Sequence, residues 1–232
     1  MQKKTTNVYP LTQVGVIHSC FKEKFATPRQ PGLVTAALAQ IELLEPFNQI
    51  DIVDGLEGFS HIWLSFIFHQ TADQGWKPKV RPPRLGGNKK LGVFATRSTF
   101  RPNPLGLSLV KLESIDTSKG VILHVSGADL IDQTPIVDIK PYLPWVESVP
   151  KALSGFASDD QTLQLPIFYS AQAQQALFNK PELQELIEQI LQHDPRPAYQ
   201  ADPKRIYGCN IADINLRWQV GLEQIDVVEI SL

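Results

Sequence analysis

Apolar residues in this chain fall into short runs separated by turn formers. Residues 8–17 read Val-Tyr-Pro-Leu-Thr-Gln-Val-Gly-Val-Ile, an interrupted β pattern. Residues 21–33 hold Pro28, Pro31 and Gly32 and read as a loop, because such residues do not fit inside a helix or a central strand. Residues 36–44 are apolar and β-compatible up to Pro46. The run His-Ile-Trp-Leu-Ser-Phe-Ile-Phe-His at 61–69 is aromatic, β-branched and apolar on nearly every side, as expected of a strand covered on both faces. Residues 91–95 and 105–112 look like strands flanking a polar loop at 97–103. A turn at 116–120 leads into the alternating run 121–125, a polar loop covers 129–134, and 135–139 is β-like until Pro141-Tyr-Leu-Pro144 closes the unit. Many short strands with proline-rich turns argue for a barrel or a sandwich.

The pattern changes after about residue 150. Residues 154–164 are small and polar, as in a linker. Pro181 then opens a helix with Leu183, Leu186, Ile187, Ile190 and Leu191 at i, i+3, i+4, i+7 and i+8, stopped at Asp194-Pro195. Residues 205–232 hold two or three strands divided near Asp213 and Gly221. The expected organisation is a mainly β chain: a β-barrel over 1–150 and a smaller α+β appendage over 160–232.

The totals narrow the setting. At 232 residues, 43% hydrophobic and 20% charged, the chain suits one large domain or a domain with an appendage. Its two cysteines, Cys20 and Cys209, form no CxxC pair, which fits a reduced, cytoplasmic setting and gives a metal no support. The first seven residues lack the apolar core of a signal peptide, and no apolar run is long enough to span a bilayer.

Charge changes the picture most. Residues 74–112 carry nine basic residues and no acidic one: Lys77, Lys79, Arg81, Arg84, Lys89, Lys90, Arg97, Arg101 and Lys111. That leaves thirteen basic against 24 acidic residues for the rest of a chain whose net charge is -2. A basic block of this kind either meets a polyanion or is a solvated surface loop.

Several familiar signatures are missing. No GxGxxG follows a strand, so a dinucleotide-type site has no support, and no GxxxxGK marks a phosphate loop. The five histidines lack ligand spacing. Four segments remain. Thr27-Pro-Arg-Gln-Pro-Gly32 is either an ordinary surface loop or a rigid display of Arg29 and Gln30 between prolines. His69-Gln70 ends the most apolar strand, either at a barrel mouth or as an edge satisfied by the core. Arg97 and Arg101 can grip phosphate or carboxylate and stack on bases, while Asn103 can pair with an adenine edge. Alternation puts Asp138 and Lys140 on one face of their strand, either as a plain ion pair or aimed at a small polar ligand beside Tyr142.

Taken together, Lys24-Phe-Ala-Thr-Pro-Arg-Gln-Pro-Gly32, Gly58-Phe-Ser-His-Ile-Trp63 with Phe68-His69, Phe94-Ala-Thr-Arg-Ser-Thr-Phe-Arg-Pro-Asn-Pro-Leu-Gly106, and the stretch from Asp129-Leu-Ile-Asp132 to Asp138-Ile-Lys-Pro-Tyr142 resemble the TsaA-like, or TrmO, family of tRNA adenosine N6-methyltransferases. Asp194-Pro-Arg-Pro-Ala-Tyr199 and the strands after it resemble the C-terminal extension of its bacterial members. The resemblance implies a non-Rossmann β-barrel that binds S-adenosylmethionine at a homodimer interface. It further implies methylation of N6 on threonylcarbamoyl-adenosine in the anticodon loop of tRNAs reading threonine codons. It assigns the cofactor to Pro28, Arg29, Gln30, His69, Gln70, Arg97, Leu107 and the loop Ile131, Asp132, Gln133 and Thr134. Asp138, Lys140, Asn103 and Tyr142 would be catalytic. Arg101, Lys77, Lys79, Arg81, Arg84, Lys89 and Lys90 would hold RNA. No metal and no membrane are implied. Gln133 departs from an expected glycine, so a positive φ there would be mildly strained. A non-catalytic RNA-binding β-barrel and a methyltransferase acting on a small molecule are the competing expectations.

Overall fold

The computed structural model describes residues 6–86, 88–157, 162–196 and 202–232. The strands are β1 (Gly15–Ser19), β2 (Leu38–Leu43), β3 (His61–Ile67), β4 (Lys79–Val80), β5 (Leu91–Gly92), β6 (Leu105–Asp116), β7 (Ile122–Ser126) and β8 (Thr134–Pro141), with a short helix α1 (Pro144–Glu147) after them. Six strands close a barrel in the order β1-β2-β7-β6-β3-β8. Every neighbouring pair in it is antiparallel. Closure removes the free edges that short strands would otherwise expose. Alternation supplies the filling: Ile17, Ile41, Ile62, Leu64, Leu123 and Ile136 are all fully buried inside. At that density each barrel position admits one side-chain shape.

Three strand expectations are corrected. Residues 8–17 contribute only their end to β1, with Gly15 as its first residue. Only Leu91 and Gly92 of 91–95 are strand, paired with Lys79 and Val80, and Val93–Ala95 curl into a 3-10 turn. β3 is not covered equally on both faces. Ile62, Leu64 and Phe66 face the core, while His61, Trp63, Ser65 and Ile67 are half-buried outside. A six-stranded barrel has one interior, and outside it Trp63 and Ile67 of β3 lie beside Leu109 and Leu105 of β6.

β8 contains a bulge. Ser65 pairs with Asp138 but Phe66 pairs with Ile136, so Val137 is the extra residue. A bulge reverses the facing of the residues beyond it. Ile136 therefore points inward, whereas Asp138 and Lys140 stand outside, beside the outward positions of β3.

Residues after the barrel form β9 (Ile167–Tyr169), α2 (Ala171–Ala176), α3 (Pro181–Gln192), β10 (Ile206–Ile211), β11 (Ile214–Val220) and β12 (Ile225–Ser231). The sheet order is β10-β11-β12-β9, with β9 parallel to β12. α3 buries Leu186, Ile187, Ile190 and Leu191, as its spacing predicts, and Leu183 packs at the edge. β9 and α2 went unread in the sequence. Ser170 caps α2 by accepting the Ala173 N–H at 3.1 Å, a weak signal in a stretch of alanine and glutamine. Of the small polar stretch 154–164, residues 158–161 lie outside the described residues, as do 197–199 of the Asp194–Tyr199 segment.

This second core is not built from the C-terminal residues alone. Phe21, Ala26, Val34 and Ala37, all from the loop between β1 and β2, are buried in it. Phe25 stacks on Trp218 with ring centroids 5.7 Å apart. The Ala212 N–H donates to the Cys20 carbonyl at 2.7 Å, and the Asn210 N–H to Glu23 at 2.8 Å.

Candidate active site

The register of three strands sets out the outer wall of the barrel. Asp138, Ser65 and Leu107 form one row across β8, β3 and β6, and Lys140, Trp63 and Leu109 form the next. Lys140 is ion-paired to Asp138. The third row begins at Tyr142, whose N–H donates to the His61 carbonyl at 3.0 Å, and His61 pairs with Lys111. The Tyr142 ring meets Trp63 edge-on at 6.0 Å and His61 at 6.4 Å. Glu147 of α1 fixes the wall from above. It accepts the Trp63 indole N–H at 3.0 Å and the Leu143 N–H at 2.7 Å. The result is an aromatic and aliphatic wall with the Asp138–Lys140 ion pair on it.

A cleft of about 450 Å³ opens at the β6 side of this wall, lined by Trp63, Leu109, Arg97, Pro31, Gly32 and Thr35 among others. Its volume lies in the range of small-molecule sites, roughly 300–1,000 Å³. Lys111 and Glu113 close one end as an ion pair at 2.9 Å. Hydrogen bonds from Ser126 and then Lys111 hold the Glu113 carboxyl below its ordinary range.

Arg97, which lines the cleft, meets Gln30 through a guanidinium-to-amide hydrogen bond. They lie 67 positions apart in the sequence, in two separate motifs, so the fold unites those motifs. Arg29, next to Gln30, points elsewhere. Its guanidinium donates to the carbonyls of Asp194 at 3.3 Å and Arg196 at 2.8 Å. Pro28 is half-buried beside them.

The His69-Gln70 turn is joined to the arginine loop. The Phe68 N–H donates to the Pro104 carbonyl at 2.7 Å, and the Leu105 N–H to the Asn103 carbonyl at 2.7 Å. Asn103 and Gln70 are exposed there, and His69 is half-buried. Arg101 braces its own loop rather than standing clear of it. It donates to the Thr96 carbonyl at 2.7 Å, and its guanidinium lies 5.9 Å from the Phe94 ring.

The loop Ile131–Thr134 is tied inward. The N–H groups of Asp132, Gln133 and Thr134 donate to the carbonyls of Phe21, Ile17 and Ile131. The Asp132 carboxylate accepts the Ser19 N–H at 2.9 Å and Lys22 at 3.0 Å. Burial acts to raise that carboxyl, but Lys22 and the Ser19 N–H outweigh it and hold it below the usual range. Gln133 adopts φ 65°, the left-handed conformation for which glycine was expected, and its amide bonds His18 at 3.0 Å. The N–H groups of Asp132, Gln133 and Thr134 are therefore taken up within the fold.

Asp129 lies in a segment that carries the family resemblance, but no site role is read for it from the sequence. Its carboxylate accepts a hydrogen bond from the buried Ser108 hydroxyl, and it feels the charge of Arg97. Burial pushes its carboxyl up to about 6, against the Ser108 hydrogen bond and Arg97. A perturbed carboxylate behind the arginine of a cleft is a functional candidate. Nothing in one sequence separates such a group from a solvated aspartate.

The basic segment forms a ribbon. β4 and β5 pair around a turn, and Lys77, Lys79, Arg81, Lys89 and Lys90 are exposed on it. Lys77 lies 4.0 Å above the Phe100 ring, and Arg84 is half-buried in the 3-10 turn Pro83–Leu85. Burial pushes both thiols, Cys20 and Cys209, up to about 12, so neither is a thiolate near neutrality. Among the described residues no cluster of three or more His, Cys, Asp or Glu could hold a metal ion, and no helix is long and apolar enough to cross a membrane.

Comparison with known proteins agrees with this layout. The tRNA-methyltransferase O N-terminal domain model matches residues 16–148, and the TrmO C-terminal domain model matches residues 162–232. The chain is 48% identical over 219 residues to a tRNA (adenine(37)-N6)-methyltransferase of Escherichia coli K12, covering 91% of this chain and 93% of that one. It is 46% identical over 216 residues to a putative S-adenosylmethionine-dependent methyltransferase, RcsF, of Pseudomonas aeruginosa, covering 90% and 92%. The crystal structure of TrmO from Pseudomonas aeruginosa superposes with a TM-score of 0.80 at 38% identity, covering 97% of this chain and 99% of that chain.

Proposed function

Because this chain belongs to the tRNA-methyltransferase O family, we propose that it is an S-adenosylmethionine-dependent methyltransferase acting on N6 of adenine 37 in tRNA. The adenine it takes is the threonylcarbamoyl-modified one in the anticodon loop of tRNAs that read threonine codons. The observation that carries this reading is the outer wall of β8, β3 and β6. It has an apolar surface, a cation at the Arg97–Gln30 mouth and the Asp138–Lys140 pair within one sheet.

The residues present fit the cofactor. Trp63, Leu107 and Leu109 offer surface to its adenosine, and Arg97 and Gln30 offer a charge-assisted partner to its carboxylate. S-adenosylmethionine supplies the methyl group as a cationic, electrophilic sulfonium. The remaining task is alignment and exclusion of water, which is where a preformed wall contributes. Tyr142 and Asn103 orient the adenine so that its N6 faces the cleft. Asp138 takes up the proton that N6 loses once it is methylated, and Lys140 keeps that carboxylate in place. The exposed lysines of the ribbon hold phosphates on either side of the target base.

The molecule works as a homodimer in this reading. Trp145 and Val149, next to the wall, are 83% and 65% exposed, which a second copy would cover. A cytoplasmic setting is supported by the two inert thiols.

Isotopically labelled S-adenosylmethionine incubated with the protein and unfractionated tRNA tests the reading. Label is expected in the tRNA, with incorporation falling steeply as salt rises. RNA binding without any label transfer would instead mark a non-catalytic RNA-binding barrel.

A further inference from the structure

The loop that supplies Gln30 has two sides. One side faces the cleft, through Pro31, Gly32 and Thr35, and Gln30 beside them bonds the cleft residue Arg97. The other side is held by the C-terminal unit at separate points. The Arg29 guanidinium is taken up by two carbonyls of the turn after α3, those of Asp194 and Arg196. Gln189, in the last turn of α3, accepts the Ala36 N–H at 2.9 Å and donates to the Thr35 hydroxyl at 3.2 Å. Ala26, Val34 and Ala37 anchor the same loop in the C-terminal core.

The turn is itself rigid before it meets Arg29. Asp194 has φ 41°, and its carboxylate receives three hydrogen bonds from Arg196, from the backbone N–H at 3.3 Å, Nε at 2.7 Å and Nη2 at 3.0 Å. The Arg196 guanidinium also lies 6.0 Å from the Tyr207 ring of β10. Two adjacent residues, Arg29 and Gln30, are thus oriented in opposite directions. The first grips a fixed turn and the second meets Arg97.

We propose that the Asp194–Arg196 turn and Gln189 are positioning residues for cofactor binding: the C-terminal unit sets the Arg29–Gln30 loop, and through it Arg97, without touching the cofactor. This rests on the reading of that loop as a cofactor loop. A loop held in its bound shape has its ordering cost met before the ligand arrives. Releasing it weakens binding and leaves the chemistry on β8 untouched. The expected signature is a rise in cofactor KM and Kd of about tenfold, with kcat at saturating cofactor changed less than about twofold.

The test is a double-mutant cycle on the full chain, read by calorimetric S-adenosylmethionine affinity and by the KM against kcat split. Asp194→Ala and Arg29→Ala should each weaken affinity, and the double variant should be no weaker than the poorer single one. Gln189→Ala, on the helix, should reproduce the effect independently, and Gln189→Glu, which keeps the acceptor for the Ala36 N–H, should recover part of it. A variant that merely lost folded protein would show lower kcat at unchanged KM. Additive losses, or Asp194→Ala and Gln189→Ala binding as tightly as the parent, would overturn the proposal. If the parent protein itself binds no S-adenosylmethionine, the cofactor reading fails first and the proposal falls with it.

Discussion

Gly106 lies directly against the ring of Phe66, its partner across β6 and β3, so closely that a Cβ at residue 106 would fall within that ring. The glycine of the Asn-Pro-Leu-Gly stretch is therefore a packing requirement, not a turn. Phe66 in turn meets Phe68 edge-on at 5.1 Å, and Phe68 is tied to Pro104.

Gly106→Ala should destabilise the barrel by about 1–3 kcal/mol, the usual cost of overpacking. Phe66→Leu in the same chain should recover part of the loss by making room. Denaturant titration of the parent, the single variant and the double variant measures this. A Gly106→Ala protein as stable as the parent would mean the ring is free to move aside.

Asp129 is a buried carboxyl whose charge costs the fold stability. Its carboxyl is raised to about 6 by burial. An acid raised above its unfolded value costs the fold stability once it ionises, so the cost is present above about pH 6 and disappears as the pH falls below its unfolded value. Asp129→Asn should therefore be more stable than the parent at pH 8, by up to about 3 kcal/mol, and the difference should vanish near pH 4. Cofactor affinity should not fall in the same variant, because Arg97 would meet the cofactor carboxylate with less of its charge offset by a neighbour. Thermal melts across pH, paired with calorimetry at pH 8, check both. A variant no more stable at pH 8 than at pH 4, relative to the parent, would remove the buried charge from the account.

On the proposed reading, the exposed ribbon lysines would contribute affinity for RNA and nothing to the cofactor. Lys89→Ala should weaken tRNA binding and lower the slope of affinity against salt by about one unit per lost phosphate contact. S-adenosylmethionine affinity should be unchanged. Equal loss of both ligands would show that the ribbon is not a separate RNA surface.

Asp138→Asn should bind both ligands normally and turn over about 10²-fold or more slowly, the scale of a lost general base. Single-turnover kinetics at saturating cofactor and tRNA measure the chemical step. Unchanged turnover would leave Asp138 as a plain surface ion pair with Lys140.

How much of this was legible depended on whether the information was local. The strand runs, the α3 spacing and the shared face of Asp138 and Lys140 are written in residue periodicity, and the structure agrees with them. Which face that is depended on the bulge at Val137, which no periodicity announces. The outward Trp63 misled the reading of β3, because a half-buried barrel wall and a fully covered strand share the same composition. The stretch 91–95 looked like a strand but has only the two-residue β4 to pair with, so its remainder curls. Gln30 and Arg97 were each picked out by proline-framed motifs, but their meeting was not. Asp129, Asp194, Arg196 and Arg29 all lie in segments that the family resemblance marked, but the burial of Asp129 and the grip on Arg29 depend on contacts distant in sequence, which no local pattern carries.

The most direct measurement is nucleoside mass spectrometry of tRNA incubated with the protein and S-adenosylmethionine, prepared with and without the threonylcarbamoyl group. The account predicts a methyl gain on the threonylcarbamoyl-adenosine and on no other nucleoside. No methylated nucleoside in either tRNA, with S-adenosylmethionine bound to the protein, would contradict it.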